Sequence, residues 1–140
     1  MVIFIFVDIL KYFYIIFLEY GIPDIVSTVP AINAEIPLSL DQIAITYVTP
    51  ILISTNNITI YDNSTGTPLI RQINSGENSK DIVKYSSDGK TIFIDILPTT
   101  FNRQNASYYV VIDDNAIKDL KTGQPIMGVY NNIWNFYTGK

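Results

Sequence analysis

From residue 24 onward, apolar and polar residues alternate in short runs, and this alternation restricts the fold more than any other feature. In the run 42–48, Ile43, Ile45 and Tyr47 share one face of a strand, and the residues between them share the other. A period of two is that of a β-strand with one buried face. The runs are separated by Asn, Asp, Gly, Ser and Pro, which is typical of all-β domains.

Eight strands are predicted, at 24–29, 42–48, 57–61, 68–73, 82–85, 91–96, 107–112 and 133–138. The loop 62–66 is rich in residues that tolerate positive φ, so the third and fourth strands are predicted to form a hairpin. Asp88-Gly89 predicts a tight turn between the fifth and sixth. One short helical turn is predicted around 114–120. Seven or eight short strands predict a sandwich, because two packed sheets bury one face of every strand.

Residues 1–20 form a separate hydrophobic segment, interrupted only by Asp8, Lys11 and Glu19. A helix of this length would rise about 30 Å, close to one hydrocarbon core. Asp8 and Lys11 oppose a simple span, since each costs about 2.5–3.5 kcal/mol at a helix centre. A cleaved signal peptide fits less well, because no positive charge precedes the apolar run and no small-residue cleavage site ends it.

Three interpretations of this segment stay open: a signal or anchor, a non-native extension, or a segment packed on the domain. A helix starting near Ile3 is expected for the anchor, and a strand is the rival interpretation, because Ile, Val, Phe and Tyr dominate. The predicted organisation is a signal-like or anchor-like segment at 1–21 and one β-sandwich domain at 22–140. Membrane contact is expected only through 1–20.

Composition excludes much chemistry. The 140 residues include no Cys and no His, which removes disulfides, thiol catalysis, Cys/His zinc sites and His-based triads. The net charge is −4, and the 9 basic residues are scattered, so nucleic-acid binding is not expected. No cofactor is predicted.

Several segments, in their order and spacing, carry a family resemblance. They are 25–39, 43–51, the turn-and-strand segment 87–94, the tyrosine–valine strand 106–112, 118–123, and the closing Trp134-Asn135-Phe136-Tyr137-Thr138-Gly139. Together they resemble the SbsA-type bacterial Ig-like domain, which occurs in surface-layer and other extracellular proteins. Asn33 stands where that family usually has Gly, and Thr49 stands where an acidic residue is common. The resemblance implies an Ig-like β-sandwich that serves as a spacer, stalk or adhesion element, without catalytic residues.

Six aromatic residues are assigned by their positions in the strand pattern. Trp134, Phe136 and Tyr108 are predicted to fill the core, where large rings bury the most apolar area. Tyr130, Tyr137 and Phe101 lie nearer loops or on alternate faces, and they are the candidates for exposed stacking on a sugar ligand.

The acidic residues offer two weaker hypotheses. Asp113, Asp114 and Asp119 cluster in one loop region and supply oxygen ligands of the kind that calcium takes. The EF-hand loop order is missing, so an ordinary solvated turn is the favoured interpretation. Asp95 and Asp113, both near strand ends, are the best available carboxylate pair for a hydrolase, which needs the two groups about 5–9.5 Å apart.

Three N-x-[ST] sequons begin at Asn57, Asn63 and Asn105, and they are glycosylation acceptors only on a eukaryotic secretory route. Asn63 is the best placed, because it lies in a predicted hairpin loop. Asn57 and Asn105 adjoin predicted strands.

The leading functional hypothesis is a non-enzymatic extracellular or cell-surface module with a structural or interaction role and a protein or glycan partner. The alternative is a carbohydrate-binding β-sandwich, which requires exposed aromatic rings on one face. A small hydrolase is a remote third.

Overall fold

The computed structural model describes residues 21–22 and 24–140, so every prediction for the segment 1–20 lies outside the described residues. The described part contains eleven strands and one short 3₁₀ helix. In chain order the elements are β1 (Ile25–Val29), β2 (Ala34–Ile36), β3 (Gln42–Tyr47), β4 (Ile51–Ile53), β5 (Asn57–Asp62), β6 (Leu69–Ser75), the 3₁₀ helix (Gly76–Ser79), β7 (Val83–Tyr85), β8 (Thr91–Asp95), β9 (Ser107–Ile112), β10 (Ile117–Asp119) and β11 (Val129–Thr138). None of the helical structure in these residues has the length and apolar character needed to cross a membrane.

The strands form two layers and a small ribbon. One layer has the order β1-β3-β8-β7, and the other has the order β2-β11-β9-β5-β6. Strands β4 and β10 form a separate two-stranded ribbon. Neighbouring strands are antiparallel except β2 and β11, which run parallel with Tyr137 opposite Glu35. The predicted hairpins β5–β6 and β7–β8 are both present.

The core lies between the two layers and is built from alternate residues of their strands. Ile43 and Ile45 of β3 face inward from the smaller sheet, while Ile58, Val110 and Trp134 face inward from the larger one, and all five are buried. Burial of one face per strand is what the alternation in the sequence predicted. The all-β sandwich prediction is therefore confirmed.

Each of the eight predicted strands is present, although the last begins earlier, at Val129. The three strands that were not predicted, β2, β4 and β10, are only three residues long. The helical turn predicted around 114–120 is wrong. Residues there pair with β4 instead, with Lys118 opposite Leu52, because strand pairing satisfies backbone groups that an isolated helical turn leaves free.

In strand β6 the usual placement of residues is reversed, since polar side chains face the core and apolar side chains face solvent. Gln72 and Asn74 are buried, whereas Ile70 and Ile73 are exposed. The buried Gln72 side chain is fully hydrogen-bonded, partly to the segment that follows β8. Since a buried amide is tolerated when its donors and acceptors are paired, β6 can direct polar residues inward.

Candidate functional site

Three aromatic residues of β9 and β11 form a buried cluster together with Phe101. Trp134, Phe136 and Tyr108 are all buried, and the indole N–H of Trp134 donates to the Pro30 carbonyl at 2.9 Å. The expectation of an exposed Phe101 is wrong, because that ring is only 2% exposed. It packs edge-on against Tyr108, with ring centroids 4.9 Å apart. Phe101 therefore belongs to the core and offers no stacking face to a ligand.

The other two candidate stacking residues, Tyr130 and Tyr137, are 45% and 43% exposed. The Tyr130 hydroxyl donates to the Asp114 carboxylate at 3.0 Å, and this bond is the main reason that the pKa of Tyr130 is raised. Both residues lie on β11, where Val129, next to Tyr130, is opposite Ile112 and Tyr137 is opposite Ser107, so the two tyrosines are about 15 Å apart along the sheet. The two rings are therefore too far apart to hold the same sugar residue.

A shallow groove of about 230 Å³ lies on the outer face of the larger sheet, around Tyr137. The residues that line it on the outer face and its flanks are Tyr137, Tyr109, Ser107, Asn33, Asn63 and Asn135. Tyr108 and Phe136 border it from within the sheet, since their rings are buried in the core. Tyr109 was not among the predicted site residues. The signal that identifies it is the pair Tyr108-Tyr109, since neighbouring strand residues face opposite sides of a sheet. If Tyr108 is in the core, Tyr109 must face outward.

A second groove, of about 550 Å³, lies between the strands β4 and β7. Its lining is mainly apolar and includes Leu52 and Tyr85, with Lys80 and Glu77 also present. The Tyr85 hydroxyl accepts a hydrogen bond from the backbone N–H of Ile53 at 2.6 Å. The Tyr85 side chain thus bridges the two strands where a direct backbone ladder is absent.

The three aspartates considered for cation binding each accept hydrogen bonds from within the domain, Asp113 and Asp114 from distant segments and Asp119 from its own turn. Asp113 accepts a hydrogen bond from the backbone N–H of Asn57, and Asp114 accepts one from that of Gly128. Hydrogen bonds from the Thr122 backbone and from other donors lower the pKa of Asp119. Among the described residues, no group of three or more acidic side chains is arranged to hold a metal ion.

Asp95 and Asp113 do not form the carboxylate pair considered for a hydrolase. Asp95 shares its face of β8 with Thr91, which points away from the buried Ile92 and Ile94, so its carboxylate lies outside the smaller sheet. Asp113 follows β9 in the other sheet, and the core separates the two. The hydrogen bond from Lys84 is the main cause that lowers the pKa of Asp95, and a hydrogen bond from Gln42 adds to it. A general acid needs a raised pKa instead.

The asparagines of the three sequons are all exposed. Asn57 is the first residue of β5, Asn63 follows the end of β5, and Asn105 lies in a turn with φ of 52° before β9. Asn63 is also part of the groove lining, so a glycan attached there would cover the groove. Glycosylation at these positions stays a prediction.

Asp62 is a buried carboxylate at the end of β5, near the same hairpin. It accepts hydrogen bonds from the hydroxyl and the backbone N–H of Ser64 and pairs with Arg103 at 3.2 Å. Burial works to raise the pKa of Asp62, but the Ser64 hydrogen bonds and the charges of Arg103 and Arg71 outweigh burial and hold the pKa below its usual value. The ionised carboxylate of Asp62 therefore stabilises the 63–68 loop through its hydrogen bonds with Ser64.

We expect Asp62 to make the domain less stable in acid. An unfolded Asp titrates near pH 3.9, and the folded pKa of Asp62 is lower, so the unfolded chain binds the proton first. The stabilisation is complete above about pH 4 and is lost as the pH falls through the folded pKa. In urea unfolding, the stability difference between the wild-type chain and Asp62→Asn should shrink from about pH 7 to about pH 3. A difference that stays constant or grows would contradict this assignment.

Comparison with known proteins agrees with this fold. The sequence profile of the family described as Bacterial Ig-like domain matches residues 21–138. Among solved structures, the chain is similar to CopC from Methylosinus trichosporium OB3b, with a TM-score of 0.54 and 15% sequence identity. That similarity covers 82% of this chain and 91% of CopC, and at this identity it shows a shared fold alone. The comparison with curated proteins gives no match.

The profile match extends over most of the chain and over all eleven strands of the two sheets and the ribbon. It agrees with the two-layer core and with the coarser part of the resemblance, a bacterial Ig-like domain. The chain belongs to the bacterial Ig-like domain family.

Proposed function

We propose that this chain is a non-enzymatic extracellular module of the SbsA type that acts as a structural spacer and presents its surface to partners. Family membership and the order of the strand and turn motifs support this proposal. The packed core supports it too, because the domain needs no disulfide to be held together. Its carboxylates serve turns and surface pairs, which gives the hydrolase hypothesis no support.

The observation that carries the proposal is the position of the two ends of the described domain. Asp24 lies beside Val48, where β3 leads toward β4, since the Val48 N–H donates to the Asp24 carbonyl at 2.8 Å. The ribbon β4–β10 and the end of β9 lie at this end, because the Ser54 N–H donates to the carbonyl of Ala116. β11 finishes beside Ala106, where β9 begins. The first and last strands of the described domain therefore begin and finish at opposite ends of the sandwich, as an in-line spacer requires.

The parallel pair β2–β11 is placed to resist tension along this axis. β2 continues from the N-terminal strand, and β11 leads to the C-terminal residues, with Ala34 opposite Phe136 and Ile36 opposite Thr138. The Asn33 N–H adds a bond of 2.6 Å to the Asn135 carbonyl. Tension applied at the two ends pulls these strands in opposite directions, so their hydrogen bonds are loaded together rather than one after another.

Single-molecule pulling of the full chain tests this role. Since the chain has no Cys, a pair of introduced cysteines defines the pulling points. We expect the Asp24→Cys/Lys140→Cys variant to unfold at a higher force than the Thr65→Cys/Lys140→Cys variant. The second pair applies force between the β5–β6 loop and the C-terminus, which does not load β2 against β11.

Equal forces for the two pulling directions, or a lower force along the end-to-end axis, would refute the mechanical role. The extracellular location has its own test. A tagged full-length chain should be cleaved by protease added to intact cells that express it, and complete protection of the chain would contradict that location.

A further inference from the structure

The groove around Tyr137, on the outer face of the larger sheet, combines ring faces with neutral polar groups. Its outward-facing lining consists of three Asn, one Ser and the two tyrosines Tyr109 and Tyr137, and none of its lining residues is charged. The chain as a whole is 16% charged, so the groove is a neutral area of the surface. We propose that this groove is a binding site for a neutral oligosaccharide.

The aromatic part of the site is held in place by the sheet. Tyr109 and Tyr137 lie on neighbouring strands on the same face, because Tyr109 is opposite Asn135 and Tyr137 is opposite Ser107. Such diagonal neighbours lie about 7–8 Å apart, within reach of aromatic side chains. Tyr109 stacks on Tyr61 with ring centroids 5.0 Å apart and planes 21° apart. The buried Tyr109 therefore forms a supported floor, and the exposed ring of Tyr137 offers the apolar face that a sugar ring can cover.

Three asparagines accompany these rings in the lining. Asn135 is on β11, two residues before Tyr137 and opposite Tyr109, while Asn33 precedes β2 and Asn63 follows β5. The backbone N–H of Asn33 donates to the Asn135 carbonyl, and that of Asn63 donates to the Ser107 carbonyl at 2.8 Å. These bonds set the positions of the flanking residues. Within the described residues, none of the three amide side chains has a hydrogen-bond partner, so each has donors and an acceptor available.

The chemistry of the lining selects the ligand class. A sugar hydroxyl both donates and accepts hydrogen bonds, as does an Asn amide, and an aromatic face packs against the apolar side of a sugar ring. A phosphorylated or strongly acidic ligand would find no cation in the lining. Glu35 is opposite Tyr137, but its side chain lies beside Gly139 in the adjoining depression. Asp62 precedes Asn63, but its side chain is buried and paired with Arg103.

The test uses the full chain and an array of immobilised neutral oligosaccharides: cellohexaose, xylohexaose, mannohexaose and chitohexaose. Titration calorimetry then measures the affinity of each hexamer that the chain binds. We expect binding of at least one hexamer and a reduction of about tenfold or more for Tyr137→Ala, which corresponds to about 1.4 kcal/mol. Asn135→Ala should also weaken binding, whereas Tyr137→Phe should retain most of it because the ring remains.

Tyr130→Ala is the matched control, since Tyr130 is an equally exposed tyrosine on the same strand but outside the groove. It should leave the affinity unchanged. Absence of binding to all four hexamers would overturn the proposal, and so would equal losses for Tyr130→Ala and Tyr137→Ala. These outcomes are independent of the spacer role, because the pulling experiments measure unfolding forces in the absence of any oligosaccharide.

Discussion

Replacing Trp134 by Ala is expected to destabilise the domain by about 3–5 kcal/mol, the largest effect of any substitution proposed for this protein. The indole is buried at the centre of β11, packs near Phe136 and donates its N–H to the Pro30 carbonyl. Truncation leaves a cavity and removes this hydrogen bond. Since small domains are stable by only about 5–15 kcal/mol, a large part of the total would be lost. Urea unfolding followed by circular dichroism measures the change.

Two further variants separate the causes of this loss. Trp134→Phe keeps a ring but leaves the Pro30 carbonyl without its partner, so its effect should be smaller than that of Trp134→Ala. Tyr137→Ala removes an exposed ring from the same strand and should change stability by about 0.5 kcal/mol or less. A loss below about 1 kcal/mol for Trp134→Ala would show that the indole does not support the core.

Gln72 is expected to be the most sensitive polar position, with a loss of about 2–4 kcal/mol on replacement by Met. Its side-chain carbonyl accepts hydrogen bonds from the Leu97 N–H at 3.0 Å and the Thr100 hydroxyl at 2.7 Å. Its amide donates to the Asp95 carbonyl at 2.9 Å and to Asn74 at 3.1 Å. Met has a similar length, so this change removes the hydrogen bonds with little change in packing. The buried partners are left unpaired, and unfolding by urea measures the cost.

The control for Gln72→Met is Gln42→Met. Gln42 is also a glutamine on a strand, but it is exposed, and the one side-chain hydrogen bond that it makes among the described residues goes to the Asp95 carboxylate. We expect it to change stability by about 0.5 kcal/mol or less. If Gln72→Met proved as stable as the wild-type chain, the hydrogen bonds of Gln72 would contribute nothing net, and packing alone would hold the segment after β8.

Prediction from the sequence succeeded where one strand face is buried and a turn has a strong local preference. Asp88-Gly89 is an example, since Gly89 has φ of 72° and the Asp88 carboxylate accepts a hydrogen bond from the Lys90 N–H. The strands of three residues could not be predicted in this way. β10 exists because β4 lies beside it, and a pairing partner distant in sequence leaves no local signal.

The candidate site shows the same division. Alternation along the last strand identifies Tyr137 as an exposed ring. It does not identify the residues that lie beside Tyr137 in the groove. Asn33 and Asn63 are 30 residues apart in sequence, and only the pairing of β2, β11, β9 and β5 brings them to one groove. Phe101 was assigned to the surface because it lies in a loop, but that loop folds over the end of the core.

The sequence by itself determined the two-layer β architecture, since alternation with a period of two requires one face of each strand to be buried. It also excluded thiol and histidine chemistry through composition alone. Only the tertiary structure decided which polar residues are buried in β6, which hydrogen-bond partners each carboxylate has and where the rings and amides meet. These features depend on contacts between distant segments, and their free energy comes from pairing and packing that no local pattern encodes.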